Sequence, residues 1–139
     1  MEFMELGTLC TAARVEHLNQ AVAFVEERAE QCGLEPKKKF GALLALEEAF
    51  VNICRYAYPQ GEGDVVLTCG SDGELFVLEL SDTGAPFDLL SLPEPDLTLD
   101  IMERKIGGLG VHFIRKLSDS VSYRREQNRN ILRMAFKRA

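Results

Sequence analysis

The stretch that decides the fold is "LALEEAFVNICRYAYP", residues 44–59. Its apolar residues recur at steps of three and four, which predicts an amphipathic helix. At about 100° per residue, Leu43, Leu46, Phe50, Ile53 and Ala57 form one stripe, expected to face a sheet. Glu48 and Asn52 fall on another face, where their neighbours Gly41 and Ala45 are small. Residues four apart on a helix stack one above the other, so a carboxylate and an amide can reach one place together. That pair suits a hydrated Mg²⁺ and a hydroxyl to be deprotonated. An exposed Glu–Asn pair is the alternative on these residues alone.

Working outward, this helix opens near Pro36 and runs to about Ala57, where Pro59 blocks continuation. Lys37, Lys38 and Lys39 at its start read as a solvated face. Before it, Val15, Leu18, Val22, Val25 and Ala29 predict a helix from Ala12 to Cys32, closed by Gly33. Residues 3–10 suit a first strand. Asp64–Cys69 and Glu74–Ser81 predict two strands joined at "GSDGE". Val111–Leu117 reads as a helix. Val121–Arg125 and Ile131–Lys137 alternate as strands around "EQNRN". Short turns between strands imply a mainly antiparallel sheet. With the helices on one face, this is an α/β two-layer sandwich in a single domain, 1–139.

Composition narrows the function. The chain of 139 residues carries 22 Asp and Glu against 16 Lys and Arg, a net charge of −6. That argues against unspecific binding to nucleic acid or anionic lipid. No run of apolar residues is long enough to span a membrane and no leader pattern follows Met1, so a cytoplasmic protein is expected. The four cysteines form no C-x-x-C pair and are expected to be small buried apolar residues. His17 and His112 are isolated, and no pattern for nucleophilic catalysis is visible.

Two further stretches carry chemistry. In "LSDTGAPFDLL", residues 80–90, Asp82 continues the face of Phe76, Leu78 and Leu80. A carboxylate on a core-facing row needs a partner, and an amino group such as adenine N6 supplies one. Gly84 is expected to let a flat ring approach the backbone. The alternative is an Asp capping a turn. In "GGLGVHFIRKLSDSV", residues 107–121, Gly107, Gly108 and Gly110 precede a helix, where free amides and the dipole favour phosphate. A flexible hinge is the other reading. Between the two lies a segment with Pro93 and Pro95, expected from about 89 to 106 to be a binding loop, mobile without ligand.

The order of the three stretches resembles the GHKL (Bergerat-fold) ATP-binding domain, and within it the RsbW-type anti-sigma-factor serine kinases. The resemblance covers about residues 10–137. It implies ATP and Mg²⁺ as cofactors, with Asn52 as the metal-binding asparagine, Glu48 as general base and Asp82 as the acceptor of adenine N6, Gly84 beside it. Gly107, Gly108 and Gly110 become the phosphate loop, and residues from about 89 to 106 the ATP lid. Arg55 stands where such kinases often carry Lys or His, and is a candidate phosphate partner; Arg104 and Lys105 are candidates as well, but read first as a solvated lid surface. A threonine that often holds adenine is missing; Asn128 and Asn130 are nearest its place. The implied activity is a serine/threonine protein kinase that phosphorylates a small STAS-type anti-sigma-factor antagonist and sequesters a sigma factor. A homodimer is implied as well. The alternatives are an ATP-binding switch without kinase activity and, behind it, the catalytic module of a histidine kinase.

Overall fold

The computed structural model describes residues 3–59, 61–91 and 108–139. In chain order these form β1 (Phe3–Ala12), α1 (Leu18–Cys32), α2 (Pro36–Tyr56), β2 (Asp64–Asp72), β3 (Leu75–Asp82), α3 (Gly108–Leu117), β4 (Ser120–Glu126) and β5 (Arg129–Lys137). The strands make one sheet in the order β1-β2-β3-β5-β4. Every neighbouring pair is antiparallel.

One face of the sheet is the core. Alternation puts Leu67, Cys69, Phe76, Leu78, Leu80, Met134 and Phe136 on it, all essentially without exposure. Ala21, Val25 and Ala29 of α1, Leu46 and Phe50 of α2, and Val111 and Ile114 of α3 pack over them. Each large side chain so buried is worth about 1.5–3 kcal/mol, which makes this layer contact the main source of stability.

Among the described residues none of this kind opposes the other face, yet Val77, Ile131 and Ala135 on it are buried. Their neighbours on that face are charged and interlinked. Arg124 pairs with Glu79 at 3.3 Å, and Arg133 reaches Glu79 at 3.9 Å and Asp72 at 3.6 Å. The Arg133 guanidinium also lies 5.6 Å from the centre of the Phe3 ring. Long arginine stems cover the apolar patches while their heads stay in water.

Several sequence expectations are corrected. The first helix begins at Leu18, not Ala12, because Thr11 and Ala12 are still paired with β2 in the sheet. Val15, counted in its stripe, is exposed in a short 3-10 turn. The buried stripe of α2 is Ala42, Ala45, Leu46, Ala49 and Phe50, with Gly41. Leu43 and Ile53 are only partly buried. The helix is flanked by α1 and α3 as well as the sheet, so its small residues become contact surfaces: a Cβ on Gly41 would lie 3.6 Å from Leu117 of α3.

The first hairpin turns at Gly73–Glu74, later than expected, so Gly70 and Ser71 belong to β2. Gly70 is required there because the Phe3 ring lies directly on it. The second hairpin turns on Gln127 and Asn128 alone, both with positive φ, the geometry that matches strand twist in two-residue turns. Lys38 and Lys39 are not simply solvated: Lys38 bonds Asp119 at 3.0 Å and Lys39 pairs with Glu30 at 2.9 Å. Among the cysteines, Cys32 and Cys69 are buried, Cys54 is half-buried and Cys10 is exposed; all are free.

Candidate functional site

A cavity lies between the C-terminal half of α2 and the core face of the sheet. Ala49, Asn52, Ile53 and Ala57 line it from α2, Leu80 and Asp82 from β3, Tyr123 from β4, and Asn130 and Leu132 from β5. Phe87 and Leu89 close it from the segment after β3. Its volume is about 40 Å³, room for a few waters. Ile53 and Ala57, expected to serve the core stripe, are wall residues of this cavity.

Asp82 ends the apolar row as the alternation predicted, and only 4% of it is exposed. Its register partner across β3 and β5 is Asn130. Both protein hydrogen bonds to Asp82 fall on Oδ1, from the Gly84 N–H at 2.9 Å and the Asn130 Nδ2 at 2.9 Å. Asn130 Nδ2 also donates to the Ala85 carbonyl at 2.8 Å. Asn130 Oδ1 accepts from Phe87 N–H at 3.2 Å and from the Tyr123 hydroxyl at 2.6 Å. Arg125 adds a bond to the Gly84 carbonyl at 2.8 Å. Of the two asparagines proposed from sequence, Asn130 is therefore in the site, and Asn128 is in the hairpin turn.

The same turn is held from the other side by the end of α2. Ala85 N–H donates to the Ala57 carbonyl at 2.9 Å, and Thr83 N–H to the Tyr58 hydroxyl at 3.0 Å. Tyr58 in turn donates to the Asp64 carbonyl at 2.5 Å. Gly84 has a reason within the fold itself: a Cβ there would meet the Ala57 carbonyl oxygen, at 2.1 Å. Glycine permits the turn to sit against the helix end.

On α2, Asn52 is 6% exposed. Its Nδ2 donates to the Glu48 carbonyl at 2.8 Å, and its Oδ1 is buried with no partner among the described residues. An orphaned amide oxygen is costly, and it is the kind of hard oxygen donor that Mg²⁺ takes. Glu48 lies one turn earlier, half-buried and off the cavity lining. Burial, and then the charge of Glu47, push its carboxyl above the ordinary value, with exposed Arg55 pulling back.

Gly108 and Gly110 fall inside the first turn of α3, which starts earlier than expected. Gly107, Arg104, Lys105 and the expected lid beyond Ser91 lie outside the described residues. Sequence reasoning missed Tyr123, Arg125 and Tyr58. The first two share the core-facing register of β4 with Val121, so alternation held a signal for them; Tyr58 had none.

An antiparallel sheet covered on one face by helices, with a buried carboxylate and amide facing each other across a cavity, defines an α/β sandwich of the GHKL type. The chain belongs to the histidine kinase-like ATPase domain family, which it matches over residues 11–136. It is similar to the serine/threonine-protein kinase BtrW of Bordetella bronchiseptica, 25% identical over 130 residues, 93% of this chain and 88% of that protein. It is also similar to the serine-protein kinase RsbW of Bacillus cereus (strain G9842), 25% identical over 93 residues. That match takes in 64% of this chain and 58% of the length of RsbW.

Proposed function

We propose that the chain is a serine/threonine protein kinase of the anti-sigma-factor type, using Mg-ATP to phosphorylate a small antagonist protein. The observation that carries this reading is the orphaned buried oxygen of Asn52 in one cavity with the buried Asp82. Asp82 takes the adenine amino group on Oδ2, the oxygen without a donor among the described residues. Asn52 Oδ1 holds Mg²⁺, which when bound neutralises phosphate charge. Leu117 packs at Gly41, and α3 is about 15 Å long, close to the rise from Gly41 to Asn52. Gly108 and Gly110, in the first turn of α3, are taken to meet phosphate with their backbone amides.

Glu48 is the general base. Its raised pKa suits it to take the proton from an incoming serine or threonine hydroxyl. That oxygen then bonds the γ-phosphorus as the bond to the bridging oxygen breaks, and ADP leaves. Arg55, one turn beyond Asn52, is the cation nearest to this transfer on α2. Names of relatives support a serine or threonine acceptor. The identification of that acceptor with an anti-sigma-factor antagonist, the sequestering of a sigma factor and a homodimer rest on the family resemblance.

The test is Glu48→Gln against Glu47→Gln. Glu48→Gln should bind Mg-ATP nearly as wild type and transfer labelled γ-phosphate to the antagonist about 10²–10⁴-fold more slowly. Glu47→Gln should transfer at close to the normal rate. Transfer by Glu48→Gln at wild-type rate removes Glu48 as the base. ATP binding by wild type with no transfer would turn the reading to a nucleotide-dependent switch.

A further inference from the structure

We propose that Asn130, braced by Tyr123, aims Asp82 and thereby sets the preference of this site for a 6-aminopurine over a 6-oxopurine. This deepens the nucleotide reading above and rests on it. A side-chain amide has two N–H donors and an oxygen with two lone pairs. All of them are used inside the protein. The donors go to Asp82 Oδ1 and the Ala85 carbonyl, and the oxygen accepts from Phe87 N–H and the Tyr123 hydroxyl. Asn130 therefore has nothing left to offer a ligand, although it lines the cavity. It acts as a rivet between β5, β4 and the turn after β3.

The consequence falls on Asp82. Its Oδ1 is taken by Gly84 N–H and Asn130, so its other oxygen is the one left for a base. A carboxylate oxygen only accepts. It bonds an exocyclic amino group and repels a carbonyl at the same position. Rotation of Asp82 would break both bonds to Oδ1, and a flip of the Asn130 amide would set its NH₂ against Phe87 N–H. Tyr123 adds a second hydrogen bond to the amide oxygen and holds the side chain in place from β4. Selectivity thus depends on a residue that never touches the base.

The test compares ADP with IDP, which differ at the 6-position of the purine. Both are titrated with Mg²⁺ present into the full chain by calorimetry. Wild type should prefer ADP by about tenfold or more, the equivalent of one buried hydrogen bond gained against one repelled. Asn130→Ala should bring the two affinities to within about threefold of each other. A merely structural role would weaken both nucleotides together and leave the ratio alone; an unchanged ratio in Asn130→Ala overturns the proposal. Should Asn130→Ala fail to give a cooperative thermal transition, Tyr123→Phe carries the test. It removes one hydroxyl, and a ratio reduced about threefold supports the proposal while an unchanged ratio overturns it. Equal binding of ADP and IDP by wild type overturns this proposal alone. Binding of neither by wild type removes the nucleotide reading, and the proposal with it.

Discussion

Replacing Gly84 with alanine puts a methyl carbon 2.1 Å from the Ala57 carbonyl oxygen, 2.6 Å from its carbonyl carbon and 2.7 Å from its Cβ. Two of these atoms are backbone at the end of α2, so no rotamer change relieves the clash. The turn must retreat by about 1 Å to reach ordinary contact. That retreat breaks the Ala85–Ala57 hydrogen bond, now 2.9 Å, and strains the Thr83–Tyr58 bond, now 3.0 Å. The Ala57 end of that bond is buried, and a buried acceptor left unpaired costs about 1–3 kcal/mol. With some of the second bond, the total is about 2–4 kcal/mol. For a domain of this size the midpoint of thermal unfolding should fall by roughly 6–15 °C. The control is Gly61→Ala, where a Cβ meets nothing within 4 Å. Circular dichroism melts of the three proteins decide the matter. A Gly84→Ala midpoint within about 2 °C of wild type refutes the claim that this turn is clamped to the helix.

Glu48 carries a stability prediction with a definite sign. Its folded pKa is raised, so the folded state holds the proton more tightly than the unfolded one. Ionisation then costs stability, with the loss developing as pH rises from the unfolded value through the higher folded value. Glu48→Gln should melt above wild type at neutral pH, and the gap should close in acid; a lower melting point at neutral pH counts against the assignment. Cysteine reactivity should split by burial. Cys69, whose thiol burial pushes up to about 12 against the pull of Arg28, should resist iodoacetamide in the native protein, while exposed Cys10 reacts. Mass spectrometry of the labelled peptides reads both, and native labelling of Cys69 would contradict the packing described.

What was legible in the sequence was local. The period of α2 placed Glu48 and Asn52, and the alternation of β3 put Asp82 in the core, because both patterns repeat within a few residues. What was hidden was made by contacts distant in the chain. The approach of Ala57 that Gly84 permits has no signal in the sequence, because the two are brought together only by the fold. Asn130 could not be told from Asn128 until register set it opposite Asp82, 48 residues away. The buried face of α2 was misjudged at Leu43 and Ile53, since periodicity reports how many apolar faces a helix has, not how many neighbours it acquires. Strand ends erred by one to three residues, because ladder pairing continues through residues such as Gly70 and Ser71 that read as turn formers.

The uncovered side of the sheet has its own consequence. Copies of a two-layer protein have a ready way to stick together, by stacking bare sheet on bare sheet. Here Glu79, Arg124, Arg133 and Asp72 stand in the way, already paired with one another. A second sheet laid on this surface would strip that water and supply no new partners, at several kcal/mol for each ion so stranded. The ion-pair ladder adds little to the folding of one molecule. Its effect is between molecules: it gives the protein a side on which crowding is harmless, and it weakens as salt screens the charges.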